Sequence, residues 1–164
     1  MKCRGLSPHP TAFMTSFLIL AYGNPLRGDD GFAWHAAGEL QKTLPSSLAD
    51  IRVLHQLGPE LAEPMSLADV VLFLDAACDG RPGAITCVPV TAESLRPGLF
   101  HQLTPQSLLS LCERLYFARP RAFVISMGGE SFAFAETLST AASRTLPQFV
   151  SAVHELVDSL KCPK

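Results

Sequence analysis

Short apolar runs alternate with segments of helical periodicity along most of this 164-residue chain. Parallel strands joined by crossover helices produce that alternation, because such strands are buried on both faces and therefore read as continuous apolar runs. The runs predict strands at residues 17–22, 52–55, 70–74, 84–90 and 122–127. The helical patterns predict helices at about residues 31–43, 59–66 and 146–160, and a further helix that opens at Thr104 and is stopped by Pro120. The predicted fold class is α/β, a three-layer sandwich with a mostly parallel central sheet of about five strands and helices on both faces.

Composition and charge exclude several classes of protein. Hydrophobic residues make up 48% of the chain and charged residues only 17%, which excludes a disordered chain. The net charge of −2 provides no basic surface of the kind that nucleic acids or anionic membranes require, so neither is an expected partner. We expect a loose N-terminal extension over residues 1–13 and a single α/β domain over residues 14–164. Both Met1 and Met14 are candidates for the start of translation.

The N-terminus and the cysteines bear on the cellular compartment in which the protein is found. Lys2 and Arg4, followed by an apolar stretch, imitate a secretory signal, but polar residues interrupt the stretch and no small-residue cleavage site closes it. We interpret the stretch as a buried first strand. The five cysteines are odd in number and include no close pair, which favours reduced thiols in a cytoplasmic protein. Cys78 has no identifiable partner for nucleophilic catalysis, so its simpler interpretation is a small residue in a turn.

Three polar residues are predicted to converge at one edge of the sheet. Asp30 follows the first strand, Asp75 ends the third, and His101 precedes the helix that opens at Thr104. Ligands bind at the carboxyl ends of the strands in open α/β sheets, so these side chains form a candidate site. Two carboxylates and an imidazole suit a divalent metal such as nickel or zinc. The structural alternatives are a solvated turn residue for Asp75 and a surface histidine for His101.

The glycine-containing loop at residues 23–31 can also be compared with phosphate-binding loops. It lacks the glycine spacing of a dinucleotide fingerprint and the Gly-Lys-Ser/Thr of a P-loop. The adjacent Asp29 and Asp30 would repel a phosphate, so a cation is the better ligand. Either aspartate could also serve simply as a favourable charge at a helix N-terminus. Asn24 is expected to shape the loop through hydrogen bonds from its side chain to the backbone.

Three motifs, taken in order, resemble those of the hydrogenase maturation endopeptidases. They are Gly-Asn-Pro-Leu-Arg-Gly-Asp-Asp-Gly at residues 23–31 after an apolar strand, Val-Leu-Phe-Leu-Asp-Ala at residues 71–76, and His101 ahead of a pair of leucines. The resemblance covers about residues 15–160. It implies an α/β fold with a central sheet, and a hydrolase that removes a C-terminal extension from the hydrogenase large subunit after nickel has been inserted.

The resemblance also implies roles for individual residues. Carried over position by position, it places the catalytic and metal-contacting residues of the family on Asp30, Asp75 and His101. The first of these positions is often glutamate in the family, so the shorter aspartate is expected to hold a metal at a different reach. Arg27 and Gln56, in loops at the same edge, are expected to contact the C-terminal segment of the precursor.

Other polar residues have weaker assignments. His35 falls off the apolar stripe of its helix and is expected to be solvated, whereas His55 is predicted to lie near the ligand-binding edge. Glu130 and Ser139 stand where the family has signature motifs near its C-terminus. Neighbouring residues depart from those motifs, so we assign that region no role.

The mechanism that follows from the resemblance is recognition through a metal carried by the substrate. Nickel already bound in the large-subunit precursor would be engaged by the three site residues, and cleavage would require that nickel. The ion could polarise the scissile carbonyl and activate a water molecule, with one of the two carboxylates as general base. Another divalent metal such as zinc is expected to substitute in vitro, and the working form is expected to be a monomer. The alternative from a different class is a non-catalytic metal-sensing or chaperone-like protein that binds the large subunit.

Overall fold

One sheet organises the fold. The computed structural model describes residues 15–93 and 103–161. The strands within these ranges are β1 (Phe17–Tyr22), β2 (Ala49–Leu54), β3 (Val70–Ala77), β4 (Ile85–Val90) and β5 (Arg121–Gly128). They lie in the order β2-β1-β3-β5-β4, and every pairing is parallel except that of β4 with β5. This arrangement confirms the predicted, mostly parallel sheet of five strands.

Helices cover both faces of the sheet. The α-helices of the described residues are α1 (Phe32–Thr43), α2 (Ala62–Ser66), α3 (Pro105–Tyr116) and α4 (Thr140–Leu160), and short 3-10 helices at Gly28–Gly31 and Pro59–Leu61 precede α1 and α2. One core cluster joins residues of α1 and α4 to strand residues such as Ile19 and Leu72. A second cluster joins residues of α2 and α3 to the opposite-facing Leu20 and Phe73. The predicted three layers are therefore confirmed, with two α-helices on each face in the part of the chain that the structure describes.

The central strand β3 is longer than the sequence predicted. Residues 70–74 are all buried, because β1 and β5 pair with them on either side and helices cover both faces. The prediction ended the strand at residue 74, but pairing with β5 continues from Asp75 opposite Ser126 to Ala77 opposite Gly128. Backbone pairing does not depend on an apolar side chain, so the change to a polar residue did not mark the end of the strand. Asp75 thus lies within β3, and the strand fixes the face on which its side chain stands.

β4 is an edge strand, as Pro89 predicted. Among the described residues it pairs only with β5, and its side chains at residues 86–89 are exposed. Proline lacks the N–H group that a central strand uses on its second side, so the position is compatible with an edge.

The sequence pattern predicted the start of α3 correctly and the start of α4 wrongly. The Thr104 hydroxyl caps α3 by accepting a hydrogen bond from the Ser107 N–H at 3.1 Å, as its sequence suggested, and the helix has already ended when Pro120 is reached. α4 was predicted from about residue 146 but begins at Thr140, after a cap on Ser139. Pro147 lies inside α4. Proline normally marks a helix start or break, which hid the first turns from the pattern.

Two predictions fall outside the described residues. The N-terminal extension, residues 1–13, and His101 both lie beyond the ranges 15–93 and 103–161. Within those ranges, no helix is both long and apolar enough to span a bilayer.

Replacement of Phe149 tests the packing of α4 on α1. The Phe149 ring is fully buried and meets the ring of Phe32 edge-on, with the centroids 4.9 Å apart. We expect Phe149→Ala to lower the free energy of unfolding by about 3–5 kcal/mol, because buried contacts are lost and a cavity remains. Urea denaturation measures the change. Phe134→Ala is the matched control, since Phe134 is 84% exposed, and an equal loss in both variants would contradict the packing described.

Candidate active site

Asp29 carries a fully buried carboxylate that connects two loops at the carboxyl edge of the sheet. Its Oδ2 accepts hydrogen bonds from the N–H groups of Glu130 at 2.8 Å and Ser131 at 3.1 Å. Its Oδ1 accepts one from the N–H of Ser139 at 2.7 Å. All three donors lie in the segment between β5 and α4. The Asp29 carboxylate therefore joins the loop after β1 to the segment after β5.

Backbone hydrogen bonds reinforce this connection. The Asp29 N–H donates to the Ser131 carbonyl at 2.9 Å, and the Gly28 N–H donates to the Ala135 carbonyl at 2.7 Å. Gly28 has a φ of +53°, and a Cβ on it would lie 2.7 Å from the Ser131 carbonyl oxygen. Glycine is required here because any side chain would force the two segments apart.

The same hydrogen bonds determine the charge of Asp29. Burial on its own would raise the pKa of Asp29, but the N–H groups of Ser139, Glu130 and Ser131 outweigh it and lower that pKa below its ordinary value. The carboxylate is therefore ionised at neutral pH although it is buried.

Asp30 is positioned by the turn that precedes it. Its Oδ2 accepts a hydrogen bond from the Asn24 N–H at 2.8 Å. The Asn24 side-chain oxygen in turn accepts from the N–H two residues further on, at 3.0 Å, which confirms that this residue shapes the loop. Gly23 passes so close that a Cβ on it would lie 2.0 Å from the Asp30 carbonyl oxygen. Asp30 is half-buried, whereas the preceding residue, Asp29, is fully buried.

Asp75 lies beside Tyr22 on the adjacent strand. Its Oδ1 accepts a hydrogen bond from the Ala76 N–H at 2.8 Å, and its Oδ2 accepts one from the Tyr22 hydroxyl at 3.0 Å. Burial raises the pKa of Asp75, the two hydrogen bonds lower it, and the negative charge of Asp30 raises it again; the net result is a raised pKa. The Asp30 carboxylate is thus close enough to act electrostatically on Asp75. A cation bound near both would relieve that repulsion.

Two of the three predicted site residues therefore meet at the same edge of the sheet. His101 lies outside the described residues, so its part in the site stays a prediction. Within residues 15–93 and 103–161, no three His, Cys, Asp or Glu side chains are grouped so that they could hold a metal ion. Two carboxylates leave most coordination positions of a divalent ion open, which suits an ion that arrives with ligands of its own.

The other predicted residues are placed as follows. Arg27 and Gln56 are exposed in the loops that follow β1 and β2, at the same edge as Asp30 and Asp75. Their contact with a substrate stays a prediction. His35 is exposed on α1, as expected. Cys78 is exposed directly after β3.

Trp34 fixes the end of β1 to the end of β2. Its Nε1–H donates to the carbonyl oxygens of Gly23 and Leu54, each at 3.0 Å. The ring of His55 packs against the indole, with the centroids 4.8 Å apart. His55 thus lies at the predicted edge, packed against the indole that joins the ends of the two strands.

The sequence pattern did not reveal the roles of Asp29, Tyr22 and Trp34. The sequence contains only a weak indication of the roles of Tyr22 and Trp34. Tyr22 is the one side chain of the apolar β1 that carries a polar group, and Trp34 is the single tryptophan of the chain. Their partners depend on which strands are neighbours. The partners of Asp29 lie more than a hundred residues away along the chain.

Comparison with solved structures shows which proteins share this fold. The hydrogenase maturating endopeptidase HybD from E. coli matches with a TM-score of 0.71 at 20% identity, over 88% of this chain and 93% of that one. The NiFe hydrogenase maturation protease HycI from Thermococcus kodakarensis KOD1 matches with a TM-score of 0.70 at 18% identity, over 89% and 94%. The hydrogenase 2 maturation peptidase from Thaumarchaeota archaeon SCGC_AB-539-E09 matches with a TM-score of 0.63 at 20% identity, over 87% and 98%. No protein-family model and no curated protein sequence matches the chain.

This chain therefore has the α/β fold of the hydrogenase maturation endopeptidases, over nearly the full length of those structures. The resemblance expected from the three motifs is confirmed at the level of the fold. At identities of about a fifth, the activity has to be argued from the site itself.

Asp29→Asn tests whether the buried carboxylate holds the two loops together. Asparagine keeps the shape but turns an NH₂ group toward a backbone N–H donor. We expect the free energy of unfolding at pH 7 to fall by about 1.5–3 kcal/mol, the range for hydrogen bonds to a charged group. Asp79→Asn, in an exposed turn, is the matched control and should change it by less than about 0.5 kcal/mol. Equal effects in urea denaturation would contradict the role of Asp29.

The stabilisation by Asp29 should also depend on pH with a definite sign. A group whose pKa is lower in the folded than in the unfolded state stabilises fully above its unfolded-state pKa, and that contribution is lost as the pH falls through its folded-state pKa. The wild type and Asp29→Asn should therefore differ most above about pH 5 and converge in acid. A difference in unfolding free energy that grows as the pH falls would contradict the lowered pKa of Asp29.

Proposed function

We propose that this chain is an endopeptidase that removes the C-terminal extension of the hydrogenase large-subunit precursor after nickel insertion. The observation that supports this most directly is the meeting of Asp30 and Asp75 at the carboxyl edge, where the charge of the first raises the pKa of the second. Support also comes from the fold, because the solved structures that share it are named as hydrogenase maturation endopeptidases and proteases. The sequence motifs point to the same two carboxylates.

In this proposal the nickel ion is part of the substrate. Asp30 and Asp75 would engage the ion held in the precursor, with His101 as a third contact and the scissile peptide beside them. The ion supplies Lewis acidity at the scissile carbonyl. Both carboxylates would engage the ion, and one of the two would act as the general base that accepts a proton from the attacking water. A precursor without nickel offers these carboxylates nothing to bind, so it would not be processed.

The surroundings of the site suit a protein substrate. Arg27 and Gln56 are exposed on neighbouring loops and would contact the C-terminal segment of the precursor. The net charge of −2 is compatible with docking to a protein surface. We further propose a monomeric, cytoplasmic enzyme, in keeping with the free thiols of Cys78, Cys87 and Cys112. Another divalent metal such as zinc would substitute for nickel in vitro.

A non-catalytic metal-sensing or chaperone-like protein that binds the large subunit is the second candidate. The observation that supports it is the position of Asp30 and Asp75 at one edge of the sheet, where the charge of the first raises the pKa of the second. Two carboxylates suffice to bind a nickel-loaded partner, and binding alone needs no general base.

The mass of the precursor distinguishes the two functions. The purified protein is incubated with nickel-loaded and with nickel-free precursor, and intact mass is followed over time. We expect loss of a C-terminal peptide from the loaded precursor only. A stable complex with no change of mass would instead establish the binding protein.

Asp75→Asn should abolish processing without unfolding the domain. The amide keeps the shape and can still accept from Tyr22, but it loses the charge that would engage nickel. We expect the rate of extension release to fall by about a hundredfold or more, measured by intact mass. The matched control is Asp158→Asn, on the exposed last turn of α4, which should process at the wild-type rate. Retained processing in Asp75→Asn would remove this residue from the site.

Arg27→Ala tests the predicted contact with the C-terminal segment. An exposed contact of this kind contributes equally to substrate and transition state, so we expect KM to rise by about threefold to tenfold with kcat unchanged. The measurement is the initial rate of peptide release at several precursor concentrations. Arg121→Ala, at the amino end of β5 on the opposite edge, is the control and should leave both constants unchanged. Equal KM values for the two variants would contradict the contact.

A further inference from the structure

Tyr22 ends β1 with a hydroxyl group that meets a site carboxylate. The hydroxyl oxygen lies 3.0 Å from Asp75 Oδ2, and the contact is part-buried. The rest of β1 is apolar, and its residues before Tyr22 are all buried. The contact is therefore a polar interaction at the end of an otherwise apolar strand.

The strand register determines this contact. Ala21 of β1 pairs with Leu74 of β3 in a parallel arrangement, so Tyr22 and Asp75 are the next residues along two adjacent strands. Side chains alternate between faces along a strand, which places both on the face covered by α2 and α3. A change of register by one residue would separate them.

Among residues 15–93 and 103–161, one group donates to each Asp75 oxygen. Oδ2 accepts from the Tyr22 hydroxyl and Oδ1 accepts from the Ala76 N–H at 2.8 Å. A carboxylate oxygen can accept two hydrogen bonds or bind a metal with its second lone pair. The two donors therefore fix the orientation of the carboxylate and leave each oxygen able to bind a cation.

The tyrosine hydroxyl remains a donor. A phenol is protonated at neutral pH, and an ionised carboxylate can only accept hydrogen bonds. The hydrogen bond therefore runs from the Tyr22 hydroxyl to the Asp75 carboxylate.

We propose that Tyr22 is a positioning residue that orients the Asp75 carboxylate for the nickel ion carried by the precursor. This inference rests on the proposed function, because it assumes that Asp75 engages that ion. Groups that hydrogen-bond to a metal-binding carboxylate orient it, and their removal costs about tenfold to a hundredfold in metal affinity or activity. Tyr22 would act through Asp75 and not touch the substrate itself.

Tyr22→Phe tests the proposal, because it removes the hydroxyl and keeps the ring. The dissociation constants of the nickel-loaded and nickel-free precursors are measured at low temperature, in samples whose mass shows that the precursor is intact. We expect the wild type to prefer the loaded precursor and Tyr22→Phe to reduce that preference by about tenfold or more. The affinity for nickel-free precursor should not change, which a merely structural role of the hydroxyl does not predict.

The chain offers a matched control in its second tyrosine. Tyr116 lies at the end of α3, is 44% exposed, and should tolerate Tyr116→Phe with the wild-type preference. Thermal unfolding of both variants checks that the fold is kept.

The outcomes separate the two claims. A wild-type preference for loaded precursor that persists in Tyr22→Phe would overturn the role of Tyr22 and leave the proposed function standing. No preference in the wild type would overturn nickel recognition, and the role of Tyr22 with it. Because binding is measured, the result does not depend on whether the chain cleaves the precursor.

Discussion

The buried carboxylate of Asp29 is the interaction on which the candidate site depends. A buried charge is costly unless hydrogen bonds compensate for its lost hydration, and three backbone N–H groups do so here. Those donors come from the segment between β5 and α4, so one side chain fixes the loop after β1 and the approach to α4 together. The position of Asp30 follows, because it is the next residue in a loop that can no longer move freely.

Adjacent aspartates thus have opposite tasks. Asp29 is buried, and its oxygens accept hydrogen bonds from backbone N–H groups. Its lowered pKa keeps it charged, and its role is structural. Asp30 is half-buried and faces the edge that Asp75 also reaches. The raised pKa of Asp75 shows the opposite electrostatic situation, in which burial and a neighbouring negative charge disfavour ionisation. One carboxylate stabilises the fold, whereas the other two form a place where a cation would be favourable.

Much of the fold could be predicted from the sequence because apolar periodicity reports burial. β1 was predicted with its observed bounds, and Pro89 identified the edge strand. The extension of β3 was missed because Asp75 ends the apolar run without ending the backbone pairing with β5. The start of α4 was missed because the helix continues through Pro147, although proline has no N–H to donate within a helix. Asp30 and Asp75 could be placed at one edge because parallel strands end together, but the partners of Asp29 and Tyr22 required knowledge of contacts between distant segments.

The nickel K-edge X-ray absorption spectrum of loaded precursor shows whether the ion gains ligands from this protein. It is recorded before and after the protein is added at saturation and low temperature. If Asp30 and Asp75 bind the ion of the substrate, the wild type will add oxygen ligands to the nickel. The double variant Asp30→Asn, Asp75→Asn will not add these carboxylate oxygen ligands. An unchanged nickel spectrum in a complex with the wild type that is shown to have formed would contradict recognition through the metal.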